Sequence, residues 1–225
     1  MLVIEESIME EIVNTLLQER PENVSVNSSY ELVDIGELGP DHQVLDLFKL
    51  GSTNWPDEKG VAFLGKSDQF LYVFACFEDS DIYNPATGRN SRTWETGDVM
   101  EFFFQAPGHE EYFELHLTPG GATLELRIPS IEKFGKVSFE SQFYESGFFS
   151  YAEKFNRPDC KGWMGLMEIP FEGIGISNGD IDGARFAVCR YNYNQNMPRP
   201  EISSTTVFPS GGFHQPHLWH EIRSR

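Results

Sequence analysis

The first twenty residues carry apolar side chains at helical spacing, with glutamates between them. The apolar positions are Ile4, Ile8, Met9, Ile12, Val13, Leu16 and Leu17. Because residues three and four positions apart share one face of a helix, the pattern predicts one amphipathic helix over residues 1–20, ending before Pro21. Its apolar stripe must be covered, either by the rest of the domain or by a second copy in a homodimer.

After Pro21 the chain changes to short runs of β-branched and aromatic residues, separated by Gly, Pro, Asn and Asp. The clearest runs cover residues 70–77, 99–105, 112–118, 122–128, 163–169, 184–193 and 219–223. This pattern predicts an all-β fold, an antiparallel β-sandwich of jelly-roll or immunoglobulin-like type over residues 23–223. The intervening polar stretches are predicted loops of this one domain, at residues 54–60, 84–93 and 194–212.

One hairpin is predicted within residues 112–128, because two alternating runs flank a turn at residues 119–121, Pro-Gly-Gly. In the first run, alternation places apolar side chains on one face of the sheet. The opposite face of that run carries Tyr112, Glu114 and His116. We expect this second set, which combines polar and aromatic groups, to lie on an exposed face of the sheet.

The charge balance excludes one class of function. Of the 225 residues, 17 are Lys or Arg and 35 are Asp or Glu, so the formal net charge is −18. A field of this sign repels polyanions, and we expect no binding to nucleic acid or to an anionic membrane. The sequence contains no apolar run of membrane-spanning length and no secretory-signal pattern at its start. We therefore expect a cytoplasmic protein as written, or an extracellular or periplasmic one if a leader has been removed.

Residues that could carry chemistry form few recognisable motifs. The three cysteines, Cys76, Cys160 and Cys189, are odd in number and far apart, which predicts buried free thiols. The signatures of serine hydrolases, zinc proteases and phosphate-binding loops are absent from the sequence. A glycoside hydrolase needs only two carboxylates across a cleft, so an enzyme using Glu101 and Glu114 remains an alternative.

Two acidic stretches are candidates for calcium, and both are also compatible with solvated turns. The first follows the run at residues 70–77, and its acids are Glu78, Asp79 and Asp81. The second resembles the first half of a calcium-binding loop, and its ligands would be Asn178, Asp180 and Asp182. The position of the closing glutamate in that second loop is taken by Cys189, which favours a polar turn.

Histidines suggest two further sites that the sequence does not favour. One is a zinc site built from His214, His217 and His220. On an extended chain, a spacing of three sends successive side chains to opposite faces, which argues against a shared zinc ion. The other is a haem site with Met100 and His116 as axial ligands, a more remote alternative.

The most informative local pattern combines an aromatic ring with a carboxylate. Trp94 lies in a loop directly before the run at residues 99–105, and Glu101 interrupts the apolar residues of that run. Sugar sites use this pairing, because a flat ring stacks on the C–H face of a pyranose and a carboxylate accepts hydrogen bonds from hydroxyls. In the alternative interpretation, Trp94 belongs to the core and Glu101 pairs with Arg190.

Several motifs follow one another in a set order along residues 23–222. They are Leu71-Tyr72-Val73 with Asp79-Ser80-Asp81-Ile82; Trp94, Asp98 and Glu101-Phe102-Phe103; Tyr112-Phe113-Glu114-Leu115 with Thr118-Pro119-Gly120-Gly121; Trp163 with Met167-Glu168-Ile169-Pro170-Phe171; Phe186, Val188 and Arg190-Tyr191-Asn192; and Phe213-His214 with Pro216. In order and spacing they resemble the family-nine carbohydrate-binding modules, β-sandwiches found in xylan-degrading enzymes and elsewhere.

The resemblance implies a non-catalytic carbohydrate-binding protein, in which a terminal sugar is held between two aromatic rings. Trp94 would supply one ring and Phe213 the other, at a place where the family has a tryptophan. A strand arginine of the sugar-binding members falls near Glu114 here. The saccharide site expected from the residues and the resemblance together consists of Trp94, Glu101, Arg190, Asn192 and Phe213. The resemblance also implies structural calcium. Two alternative functions remain: a glycan-active hydrolase, and a protein-interaction module that docks through the helix.

Overall fold

The computed structural model describes residues 13–18, 28–37, 42–177, 179–195, 197–209 and 211–224. Residues 13–17 are α-helical. The strands are β1 (Ser29–Asp34), β2 (Leu45–Asp46), β3 (Phe48–Lys49), β4 (Gly60–Lys66), β5 (Phe70–Glu78), β6 (Val99–Gln105), β7 (Tyr112–Leu117), β8 (Thr123–Ile128), β9 (Phe149–Asn156), β10 (Lys161–Pro170), β11 (Arg185–Asn192), β12 (Glu201–Ser204) and β13 (His220–Ser224). Short 3₁₀ helices cover Ile35–Glu37, Thr93–Glu95, Glu140–Gln142, Phe171–Ile174 and Pro216–Leu218.

The strands form two sheets that share β1. The β6 sheet has the order β8-β7-β6-β11-β13-β1, with β12 paired to β11 and β3. The β5 sheet has the order β1-β4-β5-β10-β9, with β2 paired to β4. The start of β1 pairs with β13 and its last two residues, Val33 and Asp34, pair with β4, both in parallel. The predicted β-sandwich is confirmed, but its strands are mixed and not purely antiparallel, because β1 passes from one sheet to the other alongside strands of the same direction.

The main core lies between the two sheets. It takes Met100, Phe102 and Phe104 from β6, and Trp163 and Met167 from β10, among many others. The sheets approach closely at Gly165, where an added Cβ would lie 3.1 Å from the sulfur of Met100. Alternation along β6 therefore sends its even-numbered side chains into the core and its odd-numbered ones to the outer face.

An apolar cluster covers the outer face of the β5 sheet. Phe63, Phe74 and Met164 project from the sheet, and Val13 and Leu16 of the helical segment are buried in the same cluster. The described part of the predicted helix therefore packs on its own domain. The apolar positions before Val13 lie outside the described residues, and the homodimer stays a prediction.

The outer face of the β6 sheet is also covered, by the segment between β8 and β9 and by the C-terminal loop. Phe139 comes from the first of these, and Phe208 and Phe213 come from the second. The face that carries Tyr112, Glu114 and His116 was predicted to be exposed, and this is wrong because all three are buried. Alternation set the face of each side chain correctly, but it contains no information on what packs against that face.

Every strand predicted from a run of residues is present, with ends shifted by at most two residues. The hairpin is confirmed as β7 and β8, and Gly121 has a φ of 82° in its turn, a conformation that favours glycine. The cysteines are buried and free as predicted. β12 lies within the predicted loop 194–212, which corrects that assignment. Among the described helices, none has the length and apolar character needed to cross a membrane.

Candidate functional site

Strand register brings an unusual set of side chains together on the outer face of the β6 sheet. In the β6–β7 ladder, Glu101 is paired with His116, and Phe103 is paired with Glu114. Because paired residues point to the same face, the two carboxylates and the imidazole meet there. The C-terminal loop adds a second imidazole from above. We call this group the carboxylate–histidine cluster, and its members are Glu101, Glu114, His116 and His214.

His116 is the centre of the cluster. Its Nε2 atom lies 2.8 Å from Oε1 of Glu114 and 3.4 Å from Oε1 of Glu101. Its other ring nitrogen, Nδ1, is hydrogen-bonded to the hydroxyl of Thr93 at 2.8 Å. His214 approaches Glu114 from the other side, with 3.7 Å between Nε2 and Oε2. His116 is 0% exposed and Glu101 is 3% exposed, so the centre of the cluster is shielded from solvent.

Burial and mutual charge set the protonation of the cluster. Burial raises the pKa of Glu101 to about 8; the charge of His116 opposes this shift and that of Glu114 adds to it. Burial also acts against ionised Glu114, but the hydrogen bond from His116 and the charges of both histidines outweigh it and lower the pKa. Burial likewise opposes the charge of His116, but the two carboxylates outweigh it and raise the pKa. These shifts favour an ion pair between His116 and Glu114 and the protonated form of Glu101.

Aromatic rings flank the cluster on two sides. Trp94 is half-buried, and its ring meets His116 edge-on with 5.6 Å between centroids. The Phe139 ring lies at the same distance from the Trp94 ring, and the guanidinium of Arg92 lies 4.2 Å above the Phe139 ring. At the opposite end, Phe134 stacks on His214 at 3.6 Å and is 42% exposed. A continuous line of contacts thus runs from Phe134 through the cluster to Trp94.

The structure divides the five expected site residues between the two faces of the sheet. Trp94 and Glu101 lie at the cluster. Arg190 is paired with Met100, a core residue, so Arg190 and Asn192 project to the inner face. Phe213 lies on the outer face, but it is 3% exposed and packs in the apolar cluster of that face. No described contact joins Arg190 to Glu101, and the alternative in which these two pair is wrong.

Arg190 belongs to a separate buried network at the edge of the core. Its terminal nitrogens lie 2.7 Å from the carbonyl of Glu78, 2.8 Å from Oδ1 of Asn192, and 3.2 Å from both the carbonyl of Glu58 and Oδ2 of Asp79. Its guanidinium also lies 4.9 Å from the centre of the Phe77 ring.

Asp98 is the second buried acid near Arg190. Its two oxygens accept hydrogen bonds from the backbone N–H groups of Tyr83 and Tyr193. Burial, followed by the charge of Asp79, raises the pKa of Asp98 to about 7. These hydrogen bonds connect the loop before β6 to the residue after β11. Asp98 therefore has a structural role.

The acids considered for calcium have other partners in this structure. Asp79 accepts hydrogen bonds from Arg190 and from the backbone of Asp81. Asp81 binds the backbone and side chain of Gln195, and Glu78 accepts from the backbone of Lys59. Among the described residues these three carboxylates do not form a convergent group, and calcium binding stays a prediction.

The second candidate calcium loop lies in the turn before β11. There Asp180 and Asp182 are both exposed, and the position before Gly179 lies outside the described residues.

The remaining histidine candidates are separated. His217 is exposed, whereas His220 is buried with its Nε2 atom 3.0 Å from the carbonyl of Thr205. Neither joins His214, so the three do not form a zinc site. Met100 lies in the core on the inner face and His116 on the outer face, so this pair cannot serve as axial haem ligands.

Sequence reasoning identified Trp94 and Glu101 but not the histidines or Phe134 as site residues. Glu114 and His116 were placed on one face by their alternation, which is the signal that could have added them. His214 and Tyr112 are hydrogen-bonded across 102 positions of sequence. A contact over such a separation leaves no local pattern, and the same applies to the stacking of Phe134 on His214.

The sequence matches no protein-family model and no curated protein. Solved structures do match in fold. A family-nine carbohydrate-binding module from Caldicellulosiruptor kristjanssonii in complex with cellotriose has a TM-score of 0.61 at 14% identity, covering 88% of this chain and 93% of that chain. The same kind of module from that organism in complex with glucose has a TM-score of 0.57 at 14% identity, covering 86% and 94%.

A proposed carbohydrate-binding protein from Bacteroides uniformis has a TM-score of 0.59 at 16% identity, covering 81% of this chain and 86% of that chain. In all three cases the identity is low and the match extends over most of both chains. The comparison confirms the resemblance drawn from the sequence at the level of the fold: this chain has the β-sandwich of the family-nine carbohydrate-binding modules.

Proposed function

We propose that the protein binds a saccharide on the outer face of the β6 sheet, over the carboxylate–histidine cluster. The observation that carries this proposal is the pair of aromatic rings at the two ends of the cluster, Trp94 and Phe134. Each ring borders polar side chains, which is the combination that a pyranose requires. The fold is shared with modules solved in complex with cellotriose and glucose, which gives the ligand class independent support.

The residues have separate tasks in this proposal. Trp94 and Phe134 offer apolar faces to the C–H surface of the sugar rings. Arg92, whose side chain is 49% exposed beside Trp94, donates hydrogen bonds to sugar hydroxyls. Glu114 lies beneath and accepts them. Phe134 thus takes the place first expected for Phe213, whose ring is packed against other side chains.

Isothermal titration calorimetry with cellotriose and glucose tests the proposal, after a glycan array has identified any better ligand. Binding is expected in the micromolar to millimolar range, which corresponds to roughly 4 to 8 kcal/mol. Trp94→Ala and Phe134→Ala should each weaken binding by at least about tenfold, the equivalent of about 1.4 kcal/mol. Phe149→Ala is the matched control, because Phe149 is 66% exposed on β9 of the other sheet.

Two results would contradict the proposal. One is equal saccharide affinity in all three variants, since the rings would then play no part. The other is unfolding of Trp94→Ala, which would make Trp94 a core residue. Release of reducing sugar from an oligosaccharide, lost in Glu101→Gln, would instead support the glycan hydrolase with its carboxylate pair.

A further inference from the structure

We propose that the carboxylate–histidine cluster is a binding site for one divalent transition-metal ion of the zinc type. The ligands would be the carboxylates of Glu101 and Glu114 and the Nε2 atom of His116, with Nε2 of His214 as the fourth ligand. This inference goes beyond saccharide binding and does not depend on it, because none of the stacking rings takes part and Glu114 is the one residue that the two proposals share.

The spacing of the ligand atoms is the first argument. One ligand atom from each of Glu101, Glu114 and His116 can be chosen so that all three lie within 4.8 Å of one another. Metal–ligand bonds of about 2.0–2.2 Å imply roughly 3.4 Å between neighbouring ligands around a tetrahedral ion. The distance from His116 Nε2 to Glu101 is 3.4 Å, and that from His214 Nε2 to Glu114 is 3.7 Å. The His116 to Glu114 distance, 2.8 Å, has to lengthen for an ion to enter.

The orientation of both imidazoles is the second argument. The Nδ1 atom of His116 is hydrogen-bonded to the hydroxyl of Thr93, and the Nδ1 atom of His214 is hydrogen-bonded to the hydroxyl of Tyr112, each at 2.8 Å. Both rings therefore turn Nε2 towards the carboxylates. Metal-binding histidines are generally held in this way, with one nitrogen hydrogen-bonded to a neighbouring group and the other free for the metal.

The third argument is that Glu101 is buried without a short hydrogen bond. Its nearest polar partner among the described residues is Nε2 of His116 at 3.4 Å, and the hydrogen on that nitrogen is directed to Glu114 at 2.8 Å. A buried carboxyl group that lacks a close partner is costly. A divalent ion would bind both carboxylates at once, so it would supply the partner that Glu101 lacks.

The donor set selects the class of metal. Two imidazole nitrogens and two carboxylates suit zinc and neighbouring transition metals, whereas magnesium and calcium prefer sites made of oxygen atoms alone. Glu101, Glu114 and His116 also form the only group of three or more metal-ligating side chains that converges within the described part of the chain. We therefore expect zinc or cobalt to bind, and calcium and magnesium not to compete.

Calorimetric titration of the chelator-treated full chain with zinc chloride tests the site. One zinc ion per chain is expected, and cobalt chloride should give the visible absorption of a four-coordinate ion. Glu114→Gln and His116→Asn should each weaken zinc binding by at least about tenfold. Thr93→Val, which removes only the orienting hydroxyl of His116, should weaken it by about tenfold.

His217→Asn is the control, because His217 is exposed on the same loop as His214. It should leave the affinity for zinc unchanged, and Trp94→Ala should also retain zinc binding while its affinity for the saccharide falls. Circular dichroism verifies that each variant folds, and the isosteric Glu101→Gln replaces any variant that does not. The proposal is overturned if no zinc ion binds, or if folded Glu114→Gln and Glu101→Gln bind zinc as tightly as the unaltered chain.

Discussion

Two groups of buried charged side chains lie on opposite faces of the β6 sheet. On the inner face, the terminal nitrogens of Arg190 lie within hydrogen-bond distance of four oxygens, including a carboxylate oxygen of Asp79. On the outer face, Glu101 has one polar neighbour at 3.4 Å, although it is nearly as deeply buried. The two groups are thus similar in burial, but the terminal nitrogens of Arg190 make several close polar contacts and Glu101 makes one longer contact, although Nε of Arg190 has no hydrogen-bond partner among the described residues.

The difference separates a structural role from a binding role. A buried charge with several close partners holds chain segments in place, and the terminal nitrogens of Arg190 link β11 to Glu58 before β4 and to Glu78 and Asp79 at the end of β5. A buried carboxyl group that has no close polar partner and lies next to other titratable side chains is typical of a ligand-binding site. The surroundings agree, because the half-buried ring of Trp94 and the exposed ring of Phe134 border the cluster, whereas Arg190 is fully buried.

The largest expected effect follows from replacing Arg190, the cation of the buried group on the inner face. Arg190→Met should lower the free energy of unfolding by about 3 to 5 kcal/mol, because it leaves Asp79 and Asp98 buried without their counter-charge. Urea denaturation measures this change, with Arg199→Met at an exposed position as the control. A loss below about 1 kcal/mol would mean that Arg190 is not the structural centre we describe.

The second prediction concerns pH. The pKa of Asp98 is raised from 3.8 to about 7 in the folded state, so folding binds a proton between these values. Stability from this group is complete at low pH and is lost as the pH rises through about 7, by on the order of 2 kcal/mol between pH 5 and pH 8. Asp98→Asn should make the unfolding free energy fall less steeply with rising pH, whatever the absolute stability of the variant. An unchanged slope in denaturation curves at several pH values would refute this assignment.

The third prediction compares the same change of acid to amide in the two groups. Asp79→Asn disrupts hydrogen bonds to Arg190 and to the backbone of Asp81, and should cost about 1 to 3 kcal/mol. Glu101→Gln in metal-free protein should change the unfolding free energy by less than about 1 kcal/mol, because few contacts are lost. Thermal and chemical unfolding of both variants decide the matter, and equal losses would remove the distinction between the two groups.

Calcium provides the smallest expected effect. If structural calcium is present, its removal by chelator should lower the melting temperature, and added calcium should restore it. Repeating the measurement with Glu101→Gln distinguishes the sites: a calcium effect that persists in this variant belongs to acids outside the carboxylate–histidine cluster. An unchanged melting temperature in the unaltered chain would leave calcium without a role in stability.

Much of the fold was predictable because its strands carry local patterns. The alternation in β7 fixed which side chains share a face, and the Pro-Gly-Gly turn marked the hairpin. β9 was missed because it is an edge strand that is exposed along most of its length, so its apolar residues do not mark a buried face. β12 was missed because its four residues lie within a polar stretch.

The site was predictable only in part. Trp94 and Glu101 are close in sequence, so their pairing leaves a local signal. Arg190 was assigned to the same site, yet it projects to the opposite face because Cys189 is the residue paired with Glu101. The face of Arg190 relative to Glu101 depends on the register of two strands far apart in sequence, and a shift of one residue reverses it. The contribution of the C-terminal loop depends on contacts of the same long range.

Nuclear magnetic resonance of the ¹⁵N-labelled chain, titrated with cellotriose, tests most directly whether the outer face of the β6 sheet is the ligand-binding face. The four tryptophan indole N–H groups serve as reporters, since Trp94 borders the cluster and Trp163 is buried in the core. We predict that the indole signal of Trp94 and the amide signals around His116 and Phe134 shift, while those of Trp163 and Arg190 do not. Shifts confined to the surroundings of Arg190 and Asn192, or no shifts at saturating saccharide, would contradict the account.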